Sequence, residues 1–432
     1  MLWATGFAEA PAALRRAWPA WIALAAWLAI QALHVVPMPY AWVAFLSPES
    51  ARMHAMAHDL GVEAATITLS IDPQASRVSL LKSLCYAGIF FLVLALAARR
   101  SRVLLLARVV VYAGVIEAVY AVTLHLGGVT EEYFGTLLSH VDSASGTYAN
   151  RNHFAGYLEM TLALGIGLLI AGLSDRKADT WRRFFRLTLE WILSPKMILR
   201  LALCVLVIGL TTTHSRMGNT AFFSSLLAAG AIGIALSRHA TRNTVLLLAS
   251  LIAIDLVIVG SWFGVEKLAQ RLQDTTVLDV QQREEPAAYA VQLVRDYAPF
   301  GSGPGTFYVA FPRYRPATVP NFYTQTHNDY IQVASESGIA GLAAIGIFVA
   351  AALGAALLAQ WRRRDPLMRG MSFACIMGVT SILIHSWVDF NLQIPANAAL
   401  FMVLLALGWV ALHSERAQAG SGAPPARTRM ED

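Results

Sequence analysis

Runs of about 20 apolar residues recur along this chain, and a run of that length and composition reads as an α-helix crossing a lipid bilayer. Ten can be marked, at roughly 17–36, 80–98, 103–126, 153–173, 197–213, 218–236, 244–263, 338–359, 371–390 and 396–412. Composition agrees: 56% of residues are hydrophobic and 14% charged, with a mean hydropathy of +0.53, whereas a soluble domain is roughly 25% charged. The expected fold class is an all-α polytopic membrane protein with about ten transmembrane helices and a large loop between the seventh and eighth spans.

The basic residues orient these spans, because cytoplasmic segments carry an excess of Lys and Arg. With the N-terminus in the cytoplasm, 21 of the 33 basic residues fall on the cytoplasmic side, and the short turns 99–102, 237–243 and 361–370 agree with one another. The net charge of +6 thus reports topology, and no nucleic-acid partner is expected. Segments 37–79, 125–152, 214–217, 264–337 and 391–395 then face outward. The expected organisation is a cytoplasmic N-terminus at 1–16, seven spans in 17–263, an outer loop at 264–337 with the active-site residues, three spans in 338–412, and a disordered cytoplasmic tail at 413–432.

Several features read as structural. Cys85, Cys204 and Cys375 lie inside apolar runs, as packed thiols do. Arg15 and Arg16 precede a full-length apolar run without a small-residue cleavage site, so the first run is expected to be retained. His54 and His58 sit four apart with no third ligand, which favours a surface helix over zinc. Segment 174–196 mixes Trp181, Phe184 and Trp191 with Arg182, Arg183 and Arg186, the composition of an amphipathic helix on anionic lipid. Glu117 and Asp255, inside spans, read as helix–helix polar contacts.

Chemistry is expected in the outer loop. Residues 283–298 form a helix candidate with an apolar face of Ala287, Ala288, Val291 and Val294, stopped by Pro299. Gly301, Gly303 and Gly305 then make either a backbone nest for phosphate oxygens or a plain sharp turn. Phe307, Tyr308, Phe311, Tyr314, Phe322 and Tyr323 follow, as interfacial anchors or as platforms for sugar rings. His327 stands just before the eighth span, where a neutral imidazole is a general base near pH 7. Asn328 and Asp329 either orient it or cap the next helix. Arg216, in Thr213-His214-Ser215-Arg216, is held at the outer surface by a very short turn, and Arg151 opens another span. There is no acidic pair with glycosidase spacing, no Asp-x-Asp motif and no G-x-S-x-G elbow. Arginines grip a diphosphate bidentately and stay charged, and a histidine can deprotonate a hydroxyl. Together they suit metal-free transfer from a diphosphate-linked donor.

Four pieces of sequence resemble the bacterial O-antigen ligase superfamily, which includes polysaccharide polymerases and some protein O-oligosaccharyltransferases. They are Thr213-His214-Ser215-Arg216, Arg283 followed by a helix and Pro299–Gly305, His327-Asn328-Asp329 with Ser337-Gly338, and Asp389-Phe390-Asn391 with Pro395. The resemblance implies a GT-C-like, metal-independent enzyme of the bacterial inner membrane with its active site facing the periplasm and no cofactor. It would transfer a glycan from undecaprenyl diphosphate, with inversion, to lipid A core or to another lipid-linked or exopolysaccharide chain. It assigns catalysis to His327, Arg216 and Arg283, and substrate contacts to Arg151, Asn328, Asp329, Gly303 and Asp389. Two departures stand out: members often have about twelve spans, and here His214 precedes the serine-arginine pair where a small residue is usual. A transporter or flippase of lipid-linked sugars is the competing class. The sequence shows neither the paired halves nor the broken helices expected of one.

Overall fold

The structure is a computed structural model describing residues 10–62, 66–128, 143–172, 195–236, 249–250, 277–317 and 322–414, with the side chains of 195–196 and 277–285 outside that description. The span expected at 244–263, the amphipathic segment 174–196, Asp255 and the tail beyond Ser414 lie essentially outside the described residues.

The helices are α1 (Ala12–Arg16), α2 (Trp18–Leu33), α3 (Tyr40–Leu46), α4 (Pro48–Asp59), α5 (Pro73–Leu96), α6 (Arg100–Leu126), α7 (Arg151–Ala171), α8 (Pro195–Thr212), α9 (Arg216–Leu236), α10 (Val277–Asp296), α11 (Phe307–Ala310), α12 (Asp329–Arg362), α13 (Pro366–His385) and α14 (Pro395–His413). Among the described residues the only extended pairing is an isolated bridge between Met38 and Ile67. Every expected span that falls on described residues is helical. Among the described residues seven helices, α5, α6, α7, α9, α12, α13 and α14, are long and apolar enough to cross a bilayer, while α2 and α8 are apolar but shorter. The chain is a multi-pass membrane protein.

α7, α13 and α14 form the centre, with 83%, 78% and 72% of their apolar windows buried, against 17% and 28% for α5 and α6 on the periphery. Small residues allow that enclosure, since close backbone approach is how helices pack when lipid supplies no hydrophobic drive. Where α7 meets α13, a Cβ on Gly167 would sit 2.4 Å from the Gly370 carbonyl oxygen.

The two ends of the bundle differ. At one, Arg100 of α6 pairs with Asp365 before α13 at 2.5 Å, and Arg363 donates to the Ser414 carbonyl. The turns at 99–102 and 361–370 therefore share an end, as their arginines lead one to expect; 237–243 lies outside the described residues. At the other end, residues 34–72 interlock with 297–314 in a cap. Ile71 N–H donates to the Ser302 carbonyl (3.0 Å), Ser76 Oγ to the Pro304 carbonyl (2.9 Å), and the Tyr308 hydroxyl to Asp72 (2.8 Å). His54, on α4, sets its Nε2 against the Thr68 and Ser70 carbonyls at 2.9 and 3.2 Å, a packing role rather than half of a zinc pair.

α10 is a helix, as expected, but its buried stripe is not the expected one. Ala290, Leu293 and Tyr297 are buried, while Ala288 and Val291 face outward. The bulky side chains fix the phase: Tyr297 and Leu293 seat on Phe307 and Phe311, whose rings stack at 4.7 Å. These two phenylalanines are cap core, neither membrane anchors nor sugar platforms. Tyr314 is tied to Asp296 (3.0 Å), and Phe322 is 63% exposed.

α12 runs continuously from Asp329 but kinks at Gly338, at φ 69° and ψ −179°. The expected span start at 338 thus marks the kink, and the outer segment 329–337 belongs to the same helix. The glycine turn docks there. Ser302 and Gly303 N–H groups donate to the Ser335 and Glu336 carbonyls at 3.0 and 2.9 Å, and Ala340 N–H reaches the Pro299 carbonyl at 3.3 Å. A Cβ on Gly338 would lie 1.9 Å from that same oxygen, so only glycine fits.

Candidate functional site

The site grows from the start of α12. Asn328 caps the helix, its Oδ1 accepting from Ile331 N–H (3.0 Å), while its Nδ2 donates to the Trp387 carbonyl (2.8 Å). Asp329 accepts from Ser386 Oγ (2.8 Å) and Leu392 N–H (3.0 Å), binding α12 to the α13–α14 connection. On the other side, Thr326 N–H donates to Gln332 Oε1 (2.8 Å) and its hydroxyl to the Asn328 carbonyl (2.6 Å). Both neighbours of His327 are thereby fixed. His327 itself is left-handed, at φ 54°, a conformation few non-glycine residues adopt and one that costs about 1–2 kcal/mol. The surrounding bonds hold it there.

The His327 ring is 28% exposed and lies edge-on to Phe390 (4.8 Å) and Tyr323 (6.4 Å). Its Nδ1 is 3.9 Å from Asp389 Oδ1, and the same oxygen is 3.3 Å from His153 Nε2. Phe390 is wedged between the two imidazoles, 4.5 Å from His153. Asp389 is 2% exposed. Burial alone would push its carboxyl up. The His153 side chain, the charge of His385 and the Phe390 N–H outweigh that and hold it below the usual carboxylate range. A fixed anion therefore stands behind the partly exposed imidazole. That arrangement orients the ring and steadies the cation formed when it takes a proton, the logic of a base backed by a carboxylate.

Deeper in the bundle lies a second polar set. Glu159 of α7, fully buried, accepts from Ser381 Oγ at 2.6 Å and contacts His385 Nδ1 at 2.8 Å, both on α13. The turn before α9 packs against it. A Cβ on Gly218 would lie 3.0 Å from Ser215 Oγ and 3.1 Å from Glu159 Oε1. Ser215 Oγ accepts from Gly218 N–H (3.2 Å), and Thr213 Oγ1 from Ser215 N–H (3.1 Å), so this turn caps α9 and puts Arg216, exposed, at its first position. His214 is also left-handed, at φ 51°, with its ring 5.9 Å from that of His125. Arg151 opens α7 behind the cap Asn150, whose Oδ1 accepts from Asn152 N–H (2.8 Å). Asn397 Nδ2 donates to the His153 carbonyl (2.9 Å), closing α14 onto the same end.

Residues 201–346 match the family model described as O-Antigen ligase, a stretch that takes in the 213–216 turn, the glycine turn and His327-Asn328-Asp329. That matched stretch, about a third of the chain, is similar to O-antigen ligases. A comparison with curated proteins found no match. The superfamily groups membrane glycosyltransferases of ligase and polymerase type acting on lipid-linked glycans. Arg151, His153 and Asp389 lie outside the matched stretch, yet the fold brings them to the end of the bundle that holds Arg216 and His327.

The residues expected from sequence divide by position. His327 and Arg216 present exposed side-chain surface, and Arg151 is half-buried at the same end. Arg283 falls in α10, and its side chain lies outside the described residues. Asn328, Asp329 and Asp389, expected to touch substrate, are buried and engaged within the chain. Gly303 is buried as well, and its N–H already serves Glu336, so the glycine turn is a packing element and offers no phosphate nest there. Glu117 accepts from the Thr147 N–H and hydroxyl (2.6 and 2.7 Å), so it holds a loop rather than another helix. Sequence reasoning missed Glu159 and His385. The signal was available, because an ionisable group inside an apolar run is a functional candidate by default.

Proposed function

We propose that this chain is an O-antigen ligase-like inverting glycosyltransferase of the bacterial inner membrane, moving a glycan from undecaprenyl diphosphate to an acceptor hydroxyl on the periplasmic face. The acceptor is lipid A core or a growing lipid-linked chain. In the step, the acceptor oxygen forms a bond to the anomeric carbon as the bond from that carbon to the diphosphate oxygen breaks. The leaving diphosphate keeps the bonding electron pair. His327 takes the acceptor proton, with Asp389 steadying the imidazolium. Arg216 and Arg283 offset the charge that accumulates on the diphosphate, where a preorganised cation acts most strongly. Arg151 stands by for the glycan or diphosphate.

One observation carries this reading: His327 is held in a strained backbone conformation with its ring partly exposed and its Nδ1 3.9 Å from the buried Asp389 carboxylate. The test is glycosyl transfer by the purified protein with a lipid-diphosphate glycan donor. His327→Ala is expected to lower turnover by about a hundredfold to ten-thousandfold while donor binding stays intact. Arg216→Lys is expected not to restore the loss in Arg216→Ala, because a point charge replaces a bidentate fork. Near-normal turnover in a folded His327→Ala protein overturns the assignment. Movement of donor across the bilayer without a new glycosidic bond replaces it with the transporter reading.

A further inference from the structure

A cavity of about 180 Å³ lies between α2, α5, α12 and α14, and none of Arg216, His327 and Asp389 lines it. Its lining is graded. At the cap end stand Gln31, Lys82, Glu336 and Ser337; further along the same helices come Leu24, Phe348, Phe401 and Leu405. From Gln31 to Leu24 the rise of α2 spans about 10 Å at 1.5 Å per residue, so the cavity is polar at one end and apolar about two turns away. That is the profile of an amphiphile lying along the helices.

The polar end makes two specific demands. Gln31 is 1% exposed, and its Nε2 donates to Ser337 Oγ at 3.1 Å, yet its Oε1 has no hydrogen-bond partner. A buried acceptor left unmet is destabilising, and a hydroxyl donor would satisfy it. Lys82 brings a cation to the wall. It is an exposed residue, its charge is felt at Glu336, and among the described residues no ion pair holds it. Glu336 is already committed to Phe307 N–H (3.1 Å) and Gln332 Nε2 (2.8 Å). A headgroup that meets both features is anionic and carries a hydroxyl. Access is from the side, because α5 is the least buried span and Leu81 and Leu84, flanking Lys82, are 62% and 48% exposed.

We propose that this cavity binds one anionic glycerophospholipid with a hydroxylated headgroup, of the phosphatidylglycerol class. Its phosphate pairs with Lys82, a headgroup hydroxyl donates to Gln31 Oε1, and the first part of one acyl chain lies among Phe348, Phe401 and Leu405. The volume equals about six water shares, enough for part of one chain and not for a whole lipid.

Native mass spectrometry of the full chain, released from vesicles of phosphatidylglycerol and phosphatidylcholine, reads the site without any turnover. Retention of phosphatidylglycerol over phosphatidylcholine is expected at about tenfold or more, with Lys82→Gln and Gln31→Leu each removing most of that preference. Ala398→Trp, which fills the apolar wall, should abolish retention. Equal retention of the two lipids, or unchanged preference in both polar variants, overturns the proposal. So does displacement of phosphatidylglycerol by an equal amount of polyprenyl phosphate, which would give the cavity to a substrate tail. Because no arm measures glycosyl transfer, these results stand or fall apart from those for His327.

Discussion

Asp389→Asn isolates the charge behind His327 while keeping the size of the side chain. In the structure the Asp389 Oδ1 to His327 Nδ1 distance is 3.9 Å. At that separation a unit charge pair is worth about 4 kcal/mol at an effective dielectric near 20, and about 2 kcal/mol near 40 for a ring with partial solvent contact. If the imidazolium is largely formed in the transition state, the variant should lose about 30-fold to 1,000-fold in kcat. The assay is single-turnover transfer from a lipid-diphosphate glycan by purified protein, with donor affinity measured in parallel. Donor affinity should stay within about twofold, because Asp389 is buried behind the His327 ring. The thermal midpoint must be followed too, since His153 loses its partner at 3.3 Å. A variant that keeps kcat within about threefold of the parent, while His327→Ala is inactive, would refute the reasoning and leave Asp389 as a purely structural tie.

The same carboxyl predicts a pH signature. Its value is depressed in the folded state, so its stabilising contribution is present above the ordinary carboxylate value of about 4 and is lost as pH falls below it. The difference in thermal midpoint between parent and Asp389→Asn should be flat from about pH 5 to 8 and shrink under acid; a difference growing toward low pH contradicts this. Gly338→Ala should destabilise the fold severely, since its Cβ would meet the Pro299 carbonyl at 1.9 Å at a φ of 69°; an unchanged midpoint rejects the docking of glycine turn on kink. Glu159→Ala should cost about 3–5 kcal/mol by leaving His385 without its buried partner, and Glu159→Gln less, read by denaturation in detergent micelles. Transfer should survive EDTA, and full loss rescued by magnesium or manganese would reject the arginine account. In a cysteine-free background, a cysteine at position 322 should react with an impermeant reagent in intact cells and one at 364 should not; the reverse pattern inverts the proposed topology.

Local sequence was enough to place the apolar helices on the described residues, because their cause is local: an apolar run must become a helix if lipid surrounds it. It also determined which turns share an end, because arginine placement follows insertion, and the Arg100–Asp365 pair bears that out. His327 was legible as a candidate from its position before a span. Its φ of 54° was not, since that conformation is held by Thr326 and Gln332 on either side of it and by Ser386 and Trp387 from the far end of α13. The facing of α10 failed for a similar reason. Its apolar residues allow more than one stripe, and only Phe307 and Phe311, arriving from beyond the glycine turn, select the one with Leu293 and Tyr297. Asp389 and His153 are more than 230 residues apart in the chain, and nothing in the spacing of either announces a contact at 3.3 Å. That contact forms where α7 and α13 are tied near their outer ends by Glu159 with Ser381 and His385, and where Gly156 leaves room for Asn391, which is a property of the assembled bundle.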